Sequence, residues 1–166
     1  MTTKSHTESI TLSRRRVLAM GAGALTLGMG WALSARAAQP KPLVEVWKDP
    51  NCGCCKDWMA HLEGAGFAVK GHDKGNTAVR AALGMPQKLG SCHTALVQGY
   101  VIEGHVPAAD IQRLLAEKPK ALGLSVPGMP IGSPGMDGPA YGGKRDAYQV
   151  LLVQRDGSTQ VFSSYA

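Results

Sequence analysis

Leu43-Val-Glu-Val-Trp-Lys48 alternates apolar and polar residues, the period of a strand with one buried face. Turn formers follow in Asp49-Pro50-Asn51-Cys52-Gly53-Cys54-Cys55, and they feed a helix over 56–64, where Trp58, Met59 and Leu62 recur at helical spacing. Gly64 and Gly66 supply the stop. The cysteines are thereby placed between a strand end and a helix start. A second strand is predicted over 67–72 and a short helix over 76–83, with Asn76 as N-cap and Gly84 just past the end. Segments 94–98 and 100–103 read as a hairpin turning near Gly99, and 107–117 as a helix with Ile111, Leu114 and Leu115 on one face and Pro119 beyond it. The Gly- and Pro-rich segment 121–143 then leads to a last hairpin over 148–162, turning at Asp156-Gly157. The order βαβαββα, with cysteines at the first strand-to-helix junction, predicts an α/β protein with a thioredoxin-like core, a Gly/Pro-rich loop and a C-terminal β-hairpin.

The first 37 residues do not belong to this pattern. Residues 1–16 are polar and end in Ser13-Arg14-Arg15-Arg16, residues 17–35 carry no charge, and Ala35-Arg36-Ala37 offers small residues around a cleavage point. This is the layout of a Tat-type secretory signal. The rival, a retained membrane anchor, is weakened by Gly21, Gly23, Gly28 and Gly30, which dilute its hydrophobicity. The expected organisation is a signal over 1–37 and one thioredoxin-like domain over 38–166, working in the periplasm and meeting a membrane only through an uncleaved signal. No repeat and no other membrane-length segment is visible.

Charge changes the picture once the leader is set aside. The whole chain of 166 residues carries a formal +6, but residues 38–166 hold 13 basic and 11 acidic side chains, too even a balance to argue for a nucleic-acid partner.

Cysteine usage carries the candidate chemistry, because all four cysteines lie beyond the leader and three of them within four positions. Structural disulfides are the bland alternative in an oxidising compartment. A domain of this length buries its own core without staples, and adjacent Cys54 and Cys55 bridge only with strain. Cys52 and Cys55 have the CxxC spacing, and a helix N-terminus favours the thiolate that both disulfide exchange and metal binding need. Cys92-His93 stands at the start of the third predicted strand, where thioredoxin-like proteins place a cis-proline facing the dithiol. Thiolates and thioethers are soft donors that select Cu(I), and imidazole suits either copper oxidation state or zinc.

The segments Asn51-Cys-Gly-Cys-Cys-Lys56-x-Trp58, Gly90-Ser-Cys-His-Thr94, Glu103-Gly-His-Val-Pro107 and Val126-Pro-Gly-Met-Pro-Ile-Gly-Ser-Pro-Gly-Met136 together resemble the periplasmic metal-binding family of the copper-resistance protein CopG. The resemblance runs from about Leu43 to Phe162 with no departure from the motifs. It implies a thioredoxin-like fold and copper handling, with Cys52, Cys54, Cys55, Cys92 and His93 as ligands, Met129 and Met136 as thioether candidates and His105 as a weaker one. So many donors exceed the positions around one tetrahedral ion, which favours a small polynuclear Cu(I) cluster. Other periplasmic copper-handling proteins are the expected partners.

The remaining candidates have plainer readings. Met59 and Met85 read as core and helix-end contacts, and His61 and His72 as exposed side chains. His105 fits a helix cap as well as a ligand. Trp47 and Trp58 flank the cysteines and are expected to shield them from water. The competing function is a thiol-disulfide oxidoreductase using Cys52 and Cys55. No hydrolytic constellation is visible.

Overall fold

The computed structural model describes residues 40–166, so the leader expected over 1–37 lies outside the described residues. Among the described residues no helix is long and apolar enough to cross a membrane. Twelve short elements follow in order: β1 (Leu43–Lys48), α1 (Gly53–Gly64), β2 (Ala68–His72), α2 (Thr77–Ala82), a 3₁₀ turn (Gln87–Leu89), β3 (His93–Val97), β4 (Tyr100–Glu103), α3 (Ala108–Glu117), β5 (Gly123–Ser125), a second 3₁₀ turn (Pro139–Tyr141), β6 (Tyr148–Val153) and β7 (Thr159–Tyr165). The strands form one mixed sheet in the order β2-β1-β3-β4-β5-β6-β7. The protein is α/β, as the pattern predicts.

Strand directions decide where the chemistry lies. β1 runs parallel to β2 and antiparallel to β3, with Lys48 opposite His93. The C-terminal end of β1 and the N-terminal end of β3 are therefore neighbours, and the residues just beyond each, Cys52–Cys55 and Cys92, share one end of the sheet. β4 returns antiparallel to β3 and delivers Gly104 and His105 to the same end.

Alternation divides the core between the two faces of the sheet. Val44, Val46, Ala95, Val97, Ile102 and Val150 pack with Trp58 and Leu62 of α1 and Ile111 and Leu114 of α3. Val101 and Val153 turn the other way, onto Met85 and Leu89. Full burial of each of these Val, Leu, Ile and Met side chains is worth about 1.5–3 kcal/mol.

Four sequence readings are corrected. α1 starts at Gly53, so Cys54 and Cys55 occupy its first turn and Cys52 is its N-cap residue. Asn76 precedes α2 but makes no side-chain cap; its amide donates to the Ser91 carbonyl and to Thr94 Oγ1 at 3.2 and 3.3 Å, since the Cys92 loop offers acceptors close by. β5 interrupts the predicted Gly/Pro-rich loop, paired with β4 and β6. The last hairpin extends to Tyr165.

Candidate metal centre

The first turn of α1 gathers Cys52, Cys54 and Cys55 at the end of the helix where backbone N–H groups lack intrahelical partners. Cys92 approaches from the start of β3. The four sulfurs lie within 4.8 Å of one another, and Cys92, His93 and His105 form a second group of the same compactness. Cys92 belongs to both and joins them.

In this structure Cys52 and Cys55 are disulfide-bonded, while Cys54 and Cys92 are free. Each free sulfur sits beside one end of the bridge: Cys54 Sγ is 3.5 Å from Cys52 Sγ, and Cys92 Sγ is 3.5 Å from Cys55 Sγ. Cys54 and Cys92 are 3.9 Å apart and complete a ring of four sulfurs. Burial, reinforced by Cys54, pushes the Cys92 thiol up to about 12. Without a cation beside it this thiol stays protonated at neutral pH, and a metal ion is the natural means of making it a thiolate.

Both imidazoles are fully buried. His105 Nδ1 donates to the Pro134 carbonyl at 2.8 Å, which leaves the Nε2 lone pair facing Cys92 Sγ at 3.1 Å. An outer acceptor that fixes the ring in this way is the usual support of a histidine ligand. His93 Nδ1 lies 3.4 Å from Cys92 Sγ, its ring packs on Trp58 at 4.2 Å and meets His105 edge-on at 5.0 Å, and its Nε2 has no hydrogen-bond partner among the described residues. Burial lowers the affinity of both rings for protons, His93 most strongly. Neutral imidazoles, an orphaned buried ring nitrogen and clustered sulfur fit a soft metal ion.

The two methionines are placed differently. Met136 is buried, and its sulfur accepts the Tyr141 hydroxyl at 3.2 Å. Its neighbour Gly135 lies against α1 so closely that a Cβ there would stand 2.5 Å from the Cys54 carbonyl oxygen. Met129 is half exposed, on the rim of a cleft that reaches Cys92.

Of the expected bystanders, Met59 packs on the core and Met85 is buried in the smaller cluster. His105 does not cap α3. That role falls to His61, whose Nε2 accepts the Ala108 N–H at 3.1 Å. Trp58 lies against the site through His93, and its indole N–H donates to the Val106 carbonyl at 2.9 Å. Trp47 does not shield the cysteines as expected: it stacks on His72 at 4.8 Å, because β1 and β2 place the two residues side by side. His72 is only partly exposed and also meets Glu45 at 3.2 Å.

Sequence reasoning missed the frame behind Cys92. Arg80 and Glu103 form a buried ion pair at 2.9 Å. Glu103 also accepts the Ser91 N–H at 2.7 Å and the Thr94 hydroxyl at 2.6 Å, so one carboxylate holds residues on both sides of Cys92-His93. A charged residue ending the apolar run Tyr100-Val-Ile-Glu103 was the available signal. Tyr141 was missed too, within a segment of no period.

The fold and these donors define an α/β protein with a thiol-rich, imidazole-supported candidate metal centre. Two solved structures, titled as forms 2 and 1 of copper resistance protein CopG, are similar to the chain: 47% and 48% identity, 76% of this chain and 99% and 98% of those chains covered, TM-scores 0.71 and 0.70. The chain belongs to this copper-resistance protein family. Residues 89–136 also match the family described as "Protein of unknown function, DUF411". No curated protein matches the chain.

Proposed function

We propose that this protein binds Cu(I) in the periplasm, after export by the Tat route, and acts in copper resistance by sequestering the ion or passing it to other copper-handling proteins. The observation that carries the reading is the convergence of four cysteine sulfurs and two buried neutral imidazoles from three separate segments. Copper is the cargo. Cys52, Cys54, Cys55, Cys92, His93 and His105 would hold it, with Met136 completing the site and Met129 at its edge. Thiolates bridge metal ions readily, and this donor count supports a small polynuclear cluster. Loading all four cysteines requires the Cys52–Cys55 bridge to take up two electrons and two protons first, from an external thiol reductant. Imidazole tolerates Cu(II) as well as Cu(I), so one-electron cycling at copper, as in a copper-dependent oxidoreductase, belongs to the same reading. The sheet order β2-β1-β3-β4, with parallel β1 and β2, supports a thioredoxin-like core.

Anaerobically reduced protein titrated with Cu(I) against a competing chelator is expected to saturate above one equivalent. Copper content should fall sharply in Cys52→Ser and in Cys92→Ser; unchanged stoichiometry and affinity in both would refute the reading.

A second reading is favoured by one observation, the disulfide flanked at 3.5 Å by free thiols at each end. A thiol-disulfide oxidoreductase would reduce a model disulfide catalytically when metal-free, depend on Cys52 and Cys55, and ignore His93→Ala. The copper reading expects little such turnover.

A further inference from the structure

One cleft reaches the sulfur ring at Cys92. It has a volume of about 350 Å³, and its walls include Arg80, Ser91, Cys92, Gly128 and Met129. Two hydrogen bonds hold the Met129 loop across it: the Gly128 N–H donates to the Gly90 carbonyl at 3.1 Å, and the Ser91 hydroxyl donates to the Gly128 carbonyl. The loop carrying the thioether is thus tied to the residues immediately before Cys92. Arg80 would repel a cation, but its charge is matched by Glu103 at 2.9 Å.

The donors are graded along this path. At the rim stands Met129, 51% exposed, a neutral thioether that binds Cu(I) and exchanges readily. Cys92 follows, partly buried, and behind it lie His105 Nε2 at 3.1 Å and Cys55 Sγ at 3.5 Å. Met136, by contrast, is 8% exposed and engaged by Tyr141, so the two thioethers occupy unlike positions.

We infer that this cleft is the port through which Cu(I) enters and leaves, and that Met129 is its outer docking ligand, not a ligand of the resting centre. The inference rests on the copper-binding reading above. The step is a ligand substitution: the bond from copper to the Met129 sulfur breaks as the bond to the Cys92 sulfur forms, the thiol proton passes to solvent, and copper remains Cu(I). A docking ligand lowers the barrier in both directions and leaves the final equilibrium alone.

The test uses reduced, metal-free protein mixed rapidly with the Cu(I) complex of bicinchoninate, following loss of the chelate's colour. Met129→Leu should slow loading by about tenfold, the low end of what losing a supporting metal contact costs. It should slow release to excess chelator by the same factor, with unchanged final stoichiometry. Met136→Leu should instead change the final competition with the chelator. A loading rate in Met129→Leu within about twofold of the parent, measured against that tenfold expectation, overturns the port. So does lost stoichiometry, which would make Met129 a resident ligand. Failure of the parent protein to take copper from the chelate overturns the copper reading itself, and the port with it.

Discussion

Arg80 and Glu103 show how much a reactive loop owes to residues with no part in its chemistry. Arg80 is 5% exposed and Glu103 fully buried, and burial pushes the Glu103 carboxyl above its ordinary range. The pair persists because every strong group has a partner: Arg80 also donates to the Ser91 carbonyl at 2.5 Å and to Gln87 Oε1 at 3.4 Å. Removing one member leaves the other buried and uncompensated, which costs about 3–5 kcal/mol, whereas replacing both by apolar groups of similar shape is far milder. Arg80→Met should therefore lower the urea midpoint strongly, and Arg80→Met with Glu103→Leu should recover a substantial part of the loss. Additive losses in the double variant would show that the two side chains act independently.

At the scale of elements, the segment between β5 and β6 does what a strand or helix cannot: it lays backbone directly on the start of α1. Gly135 has a φ of +84°, and a Cβ there would meet the Cys54 carbonyl at 2.5 Å and the Trp58 nitrogen at 2.8 Å. Gly138 has a φ of −71° and open space around it. Gly135→Ala is expected to destabilise the protein by about 1–3 kcal/mol, the usual cost of a strained backbone position, and to loosen copper retention. Gly138→Ala should change neither in a thermal melt or a chelator competition.

The same segment marks where reading the sequence ran out. β1, the β3–β4 hairpin and α3 carry their own period and stops, so they were legible locally. β5 spans only Gly123–Ser125, and its strand character comes from pairing with β4 and β6, which no local pattern encodes. The cysteines could be placed together because a strand end and a strand start define their positions. Arg80 reaches Glu103 and Ser91 across contacts distant in sequence, which the charge at the end of β4 hints at but no spacing encodes, and Tyr141 reaches Met136 within a segment that has no period.

For the whole molecule, the histidines set how stability depends on pH. Desolvation lowers the proton affinity of the buried His93 and His105, and of the more exposed His61, below the usual imidazole value of 6.5, outweighing the Pro134 carbonyl at His105 and the pull of Asp137 on His61 and His105. Each must be neutral in the fold: His61 accepts the Ala108 N–H, and His105 leaves its Nε2 lone pair facing Cys92. The unfolded chain takes up protons as pH falls through 6.5, while the folded chain does not until each ring's lower value is reached. Stability is therefore complete above 6.5 and declines below it, by at most about 1.4 kcal/mol per pH unit for each of the buried rings His93 and His105 and by less for the solvent-screened His61. Glu103 works in the opposite sense, because its folded value lies above the ordinary 4.5. Three rings against one carboxyl leave the histidines dominant just below 6.5. Urea unfolding of the metal-free, disulfide-bonded protein should show a lower midpoint at pH 6 than at pH 7.5. His61→Gln, which keeps an acceptor for Ala108 but cannot titrate, should make that dependence shallower without abolishing it. A midpoint that holds or rises on acidification would mean that these rings already carry protons in the fold, and the neutral donor set assigned to the centre would fail with it.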